Sequence, residues 1–241
     1  MIDLELTEEQ RLLQHSIREW GAREIAPRIH ELDRQHRFDP GILPKMASLG
    51  LLGISVPVEY GGAGMDYVSL GLACEELEYL DTSLRVIMSV HAGLNSLTIF
   101  AWGSEEQRKR YLAPQARGEK IGGYALTEPG AGSDVRGIQS VAVKKDGYWV
   151  LSGEKTWISL AEVADHFLVF AWSDQKKKKQ RDVSGISAFM IERECHGFSS
   201  GEIKEKWGIL AGNTGFFTMD EMEVPAENLI GREGEGFKIA M

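Results

Sequence analysis

The chain has 241 residues, 43% of them hydrophobic and 26% charged, and its 27 basic and 36 acidic side chains give a formal net charge of −9. That length suffices for one large domain or two ordinary ones, and the composition is that of a globular protein. The acidic balance argues against a nucleic-acid partner, whose phosphates require a basic face.

In chain order, residues 1–120 read as helices. Thr7 and Gln10 form a capping-box pattern, and Leu12, Leu13, Ile17 and Trp20 follow at helical spacing. "DPGILPKMASLG" reads as a short helix, "EYGGAG" as a loop, and "DYVSLGLACEELEYLD" and "TSLRVIMSVHAGLNSLTIFAWG" as two more helices. The last of these is apolar on most sides, which predicts burial. Ser104 and Gln107 open a further helix with a second capping box. No apolar run reads as reaching the roughly 18 residues that cross a membrane.

After residue 120 the period changes. "SVAVKKDGYWVLSG" predicts a hairpin turning at Asp146-Gly147, and "HFLVFAW", "GISAFMIE", "FSSGEIKEK" and "TGFFTMDEMEVP" predict strands. Lys176–Lys179 read as a solvated loop between two strands. The predicted class is therefore α+β and multi-domain: an all-α helical domain over 1–120, then an antiparallel, β-barrel-like domain over 121–231. Residues 232–241 return to helical character, and an apolar turn this short is expected to leave its face uncovered. The chain thus reads as cut at the start of another helical domain. Cys74 and Cys195 lack metal or disulfide spacing and the six histidines are scattered, so no metal site is expected.

"GYALTEPGAGSDVRG", residues 123–137, is the segment with the most distinctive chemistry. It is not a Walker loop, since no lysine follows, and not a dinucleotide fingerprint, since it lacks the third glycine and leads into a hairpin. Gly130 and Gly132 allow close approach of a ligand, while Thr127 and Ser133 offer hydroxyls that can meet an anion without a fixed positive charge. Glu128 and Asp134 are expected to fold back onto local amides. In "GEKTWIS", Trp157 is either a strand core residue or a surface on which a planar ring stacks.

Taken together, "YALTEPGAGSDVRG", "LSGEKTWIS", "EYGGAG", "FAWGSEEQRKRYL" and "DEMEVPAENLIGREGEGFKIAM" resemble the acyl-CoA dehydrogenase family in order and spacing, over nearly the whole chain. The resemblance implies FAD as cofactor and an acyl-CoA thioester as substrate, oxidised to trans-2-enoyl-CoA in fatty-acid β-oxidation. Electrons would pass to an electron-transfer flavoprotein. It implies that Tyr124, Ala125, Leu126, Thr127, Gly132 and Ser133 line the flavin, with Ser133 also touching the CoA part of the substrate. Trp157 would lie against the isoalloxazine, with Ile158 and Ser159 on its N5–O4 side. No catalytic base is expected in this chain, because the family's glutamate belongs to a C-terminal domain beyond residue 241. The 241-residue piece alone is expected to bind FAD weakly and not to turn over. A homo-oligomer is implied for the full-length form, in the cytoplasm, or in the mitochondrial matrix for a mature eukaryotic protein. Neither membrane insertion nor nucleic acid is expected.

The sequence departs from the family pattern in "KWGILAGNTG", where Leu210 and Gly212 replace a common arginine and serine. Arg85 and Ser89 match positions that meet a distal carboxylate in the glutaryl-CoA subgroup; otherwise Arg85 is a surface arginine or pairs with Asp81 or Glu78. Two rival readings remain: a flavin oxidase or monooxygenase on the same scaffold, and a non-catalytic two-domain binding module.

Overall fold

The computed structural model describes residues 5–241. Helix α1 (Glu8–Glu24) starts at the expected capping box: the Gln10 amide donates to Thr7 Oγ1 at 3.2 Å, and the Thr7 amide donates to Gln10 Oε1 at 3.0 Å. Helices α2 (Ala26–Arg34), α3 (Ile42–Ser48) and α4 (Tyr67–Leu80) follow. Helix α5 runs over Thr82–Trp102, and Met88–Ser96 within it adopts π geometry. Residues 105–116 make the next helical stretch, capped by Ser104 and Gln107 as predicted. Gln107 Nε2 also donates to the Glu227 and Leu229 carbonyls at 2.6 and 2.8 Å, tying the helices to the far end of the sheet.

Eight strands form one sheet: β1 (Gly122–Ala125), β2 (Val141–Lys144), β3 (Tyr148–Ser159), β4 (His166–Trp172), β5 (Ile186–Glu192), β6 (Phe198–Glu202), β7 (Thr214–Pro225) and β8 (Leu229–Ile230). Their order is β6-β7-β3-β2-β4-β5-β8, with β1 added on β4. The barrel-like expectation needs correction on two counts. β6 and β8 do not pair, so the sheet stays open, and β1 and β2 both run parallel to β4, so it is mixed. Parallel pairing becomes available because each of these strands returns to β4 through a long excursion rather than a tight turn.

Five local expectations change. Lys176–Lys179 sit in a helix, α6 (Gln175–Gln180), solvated as expected and N-capped by Asp174. Lysine is a good helix former, and the cap supplies the missing partner for the first amides. The strand read in "FSSGEIKEK" ends at Glu202. Helix α5 is long and apolar enough to cross a membrane by length and composition, contrary to the sequence reading. It buries one face, carrying Leu84, Ile87, Met88, His91, Ala92, Asn95 and Ile99, rather than most sides. The last helix, α7 (Gly236–Ala240), buries Ile239 in the cluster of Trp172, Ile186 and Ala188, so its apolar turn is covered.

One core cluster joins Ile17, Trp20, Leu77, Ile87 and Met88 of the helices to Ala125, Phe167 and Phe217 of the sheet. The seam between them is tight. A Cβ added to Gly122 would stand 2.7 Å from Asn95 Cγ, so β1 approaches α5 closely because glycine leaves room. Asn95 Nδ2 donates to the Gly123 carbonyl at 2.6 Å, and the Gly122 amide donates to His91 Nδ1 at 2.9 Å.

Candidate functional site

The end of β1 and the bulge in β3 bring the two singled-out segments together. The Thr156 amide donates to the Thr127 carbonyl at 3.0 Å, so Thr127 lies beside the residue preceding Trp157. Against β7, Thr156 pairs with Phe216 and Ile158 with Gly215, leaving Trp157 as the extra, unpaired residue of a β-bulge. Its φ is +58°, in the left-handed region that costs a side-chain-bearing residue about 1–2 kcal/mol. Its side chain is 58% exposed. A large apolar ring on a strained bulge, turned to solvent, is the pattern of a position set by a ligand rather than by packing.

Trp157 is not alone. It lines a groove of about 580 Å³ with Ser159, Lys206, Trp207, Ile209 and Thr214. Trp207 is fully exposed, Ile209 is partly exposed with φ +54°, and Phe216 on β7 is exposed as well. Lys206 keeps the turn closed by donating to the Ile209 carbonyl at 2.9 Å and to the Gly212 carbonyl. Sequence reasoning marked 206–215 only as a departure and missed Trp207 and Ile209 as lining residues. The signal available was the pair of bulky apolar side chains in a stretch with no strand or helix period.

The other sequence-predicted residues fall into groups. Tyr124 and Leu126 pack on the side of Phe170: the Tyr124 ring lies 5.2 Å from that of Phe170, and its hydroxyl reaches the Ala240 carbonyl at 3.5 Å. Burial raises the Tyr124 phenol, so it stays protonated. Ala125 and Ile158 are buried in the main core, which leaves only their backbone for a ligand. Gly132 and Ser133 are exposed on the loop beyond Glu128, and a Cβ on Gly132 would meet nothing within 4 Å.

Asp134 folds back onto a local amide, as expected; Glu128 turns inward instead, to amides beyond the turn and to a buried lysine. Glu128 is buried, and its carboxylate accepts from the Gln139 amide and from the Ser140 amide at 3.1 Å. Asp134 accepts from the Arg136 amide at 3.2 Å and pairs with Arg181. The lysine absent from this loop comes from β3 instead. Lys155, fully buried, donates to Glu128 Oε1 at 2.8 Å and was not singled out from sequence. Burial by itself would raise the Glu128 carboxyl; the Lys155 charge and the amides outweigh it and hold the group below its usual range.

The donor set suits a flavin. Ser159 lines the groove beside the exposed indole, Thr127 is joined to the residue before that indole through its backbone, and Ser133 offers a hydroxyl on the exposed glycine loop; uncharged groups of this kind match a planar ring with a polar edge and a diphosphate reached by dipoles. Among the described residues no cluster of three or more His, Cys, Asp or Glu could hold a metal.

Residues 7–119 match the acyl-CoA dehydrogenase N-terminal domain, and residues 123–222 match the acyl-CoA dehydrogenase middle domain. The chain belongs to the acyl-CoA dehydrogenase family. It is 43% identical over 240 residues to a short-chain specific acyl-CoA dehydrogenase of Clostridium acetobutylicum, covering 100% of this chain and 62% of that protein. A butyryl-CoA dehydrogenase from Megasphaera elsdenii superposes with a TM-score of 0.94 at 35% identity, over 99% of this chain and 62% of that one. A structure described as the electron transferring flavoprotein of Acidaminococcus fermentans also gives 0.94, at 40% identity and 99% and 62% coverage. An acyl-CoA dehydrogenase complexed with FAD from Bacillus anthracis gives 0.90 at 35% identity, over 100% and 40%. The chain therefore spans under two thirds of the length of these relatives.

Proposed function

We propose that the protein carrying this chain is an FAD-dependent dehydrogenase of short-chain acyl-CoA thioesters. The observation that carries this is the exposed, strained Trp157 one residue from the backbone held by Thr127, in a chain matched by both family domains. The FAD complex and the butyryl-CoA dehydrogenase among the similar structures support the cofactor and the acyl class.

In this reading Thr127 meets the polar edge of the flavin, Trp157 covers one flank, and Ser159 faces the reactive side. Ser133 serves the diphosphate and the CoA portion through its hydroxyl and the flanking glycine amides. Tyr124, Ala125, Leu126, Gly132 and Ile158 contribute backbone and shape. When bound, the flavin supplies the hydride acceptor for the acyl β-carbon. Glu128 is not the base that takes the α-proton, because its carboxylate is already committed to Lys155 and the 139–140 amides. Trp207 and Ile209 offer further apolar surface beside the ring. Electron transfer to an electron-transfer flavoprotein is the proposed exit, supported by the Acidaminococcus likeness.

The acyl group is proposed to be monocarboxylic. Arg85 Nε donates to Glu78 Oε2 at 2.8 Å and Arg85 Nη1 donates to Ser89 Oγ at 3.2 Å, so its charge already has a partner. One experiment tests both points. The full-length protein, loaded with FAD and mixed anaerobically with butyryl-CoA, is expected to lose its visible flavin band. Arg85→Ala is expected to affect glutaryl-CoA no more than butyryl-CoA. A band unchanged by any short acyl-CoA overturns the reading, and hydrogen peroxide release in air in place of transfer to an acceptor protein favours the oxidase.

A further inference from the structure

The most deeply buried charge behind the 124–128 segment has no part in the reading above. Lys155 Nζ donates to Phe170 O at 2.7 Å on β4, to Glu128 Oε1 at 2.8 Å, and to Leu126 O at 3.2 Å. An ammonium has three donors, and these three acceptors use them all. Burial lowers the Lys155 pKa, with the Glu128 charge opposing the shift. An apolar pair of similar volume could fill the same space at no cost in stability, so packing alone does not account for a buried ion pair here.

The contact with Leu126 fixes what lies beyond it. All described peptides are trans, and a trans peptide sets its N–H opposite its C=O. Holding the Leu126 carbonyl toward Lys155 therefore turns the Thr127 N–H away from it. The Thr127 carbonyl is held separately by the Thr156 amide. Glu128 is anchored on the 139–140 amides, and it fixes the residue after Thr127. Two peptide planes are thus clamped from behind, and the Thr127 amide is presented on the opposite side.

We propose that Lys155 is a positioning residue: by gripping the Leu126 carbonyl and Glu128 from inside the sheet, it aims the Thr127 amide at the polar edge of the flavin. This rests on the flavin reading above. Lys155 itself never touches the ring.

The test uses the full-length protein with FAD as the probe, measuring FAD affinity by fluorescence titration, the absorption spectrum of the bound flavin, and the Tm of the apoprotein. Glu128→Gln leaves the Lys155 donors on Leu126 and Phe170 but removes the counter-charge, so its FAD affinity and apoprotein Tm are the reference for loss of the ion pair alone. The double variant Lys155→Met with Glu128→Gln removes the grip without stranding a charge. It is expected to weaken FAD binding about tenfold or more, the loss of one well-aimed hydrogen bond, and to shift the flavin spectrum, at an apoprotein Tm close to that of Glu128→Gln. Wild-type FAD affinity and spectrum in the double variant overturn the proposal, whatever its Tm. If the double variant does not fold, Lys155→Arg keeps the charge and displaces the donors. Weaker FAD at unchanged apoprotein Tm then supports the proposal, and unchanged affinity overturns it. A wild-type protein that takes up no FAD sinks the underlying reading and this inference with it.

Discussion

Trp157 concentrates the residue-scale argument. Its left-handed backbone favours glycine, and its indole is mostly outside the core, so the fold gains little from a tryptophan there. Trp157→Gly relieves about 1 kcal/mol of backbone strain and adds a similar loss of unfolded-state restriction. The expected result is a Tm near wild type with FAD binding weakened at least about tenfold, read by thermal melting and flavin titration. A large fall in Tm would show that the ring serves the fold. Sequence left two roles open for Trp157, core or stacking surface, because strand alternation alone does not reveal a bulge. Glu128 reaches past the turn to the 139–140 amides, but the role of Asp134 as a cap was legible, since a short acidic side chain in a glycine turn has local amides to satisfy. Lys155 was not, because its partner lies 27 residues away and only the tertiary fold joins them.

At the scale of elements, α5 shows what a helical period conceals. Its apolar composition was legible, but its inner face also carries buried His91 and Asn95, hydrogen-bonded to β1 across the seam, and buried Ser96, bonded to Gln115 of the next helical stretch. His91 Nε2 lies 3.2 Å from the Gln115 carbonyl while Nδ1 accepts from Gly122, an arrangement that requires the neutral ring. Burial lowers its pKa to about 4. Unfolded, the ring takes a proton near 6.5, so below that pH the unfolded state binds more protons than the folded one. The contribution of His91 is therefore complete above pH 6.5 and is lost as pH falls toward about 4, by up to about 3 kcal/mol. His166, on the other side of Gln115, is also lowered by burial and acts in the same direction. We expect the Tm to drop steeply between pH 6.5 and 4.5, and His91→Gln to flatten that slope while costing stability at pH 7. An equally steep slope in the variant would assign the acid sensitivity elsewhere.

Across the whole molecule, the helical and strand-rich halves were legible as halves, because a period of 3.6 gives way to a period of 2 near residue 120. Their joining was not, because it depends on side chains from both halves meeting at a glycine. Gly122 lets β1 enter against α5, Gln107 reaches the 227–229 carbonyls, and the largest apolar cluster runs through both. A boundary crossed by a shared core and buried hydrogen bonds gives neither half an independent apolar interior. Unfolding should then be one event. In a urea titration of the chain carrying Trp20→Phe and Trp102→Phe, which leaves Trp149 and Trp172 as the buried tryptophans, the helical signal in circular dichroism and the tryptophan fluorescence are expected to change with a common midpoint. Gly122→Ala forces a Cβ against Asn95 and should lower that single midpoint, by an overpacking cost of about 1–3 kcal/mol, for both signals together. If the variant instead separated the two curves, with the helices melting while the tryptophans stayed native, the sheet would be shown to fold on its own and the seam would be a docking contact between two finished domains.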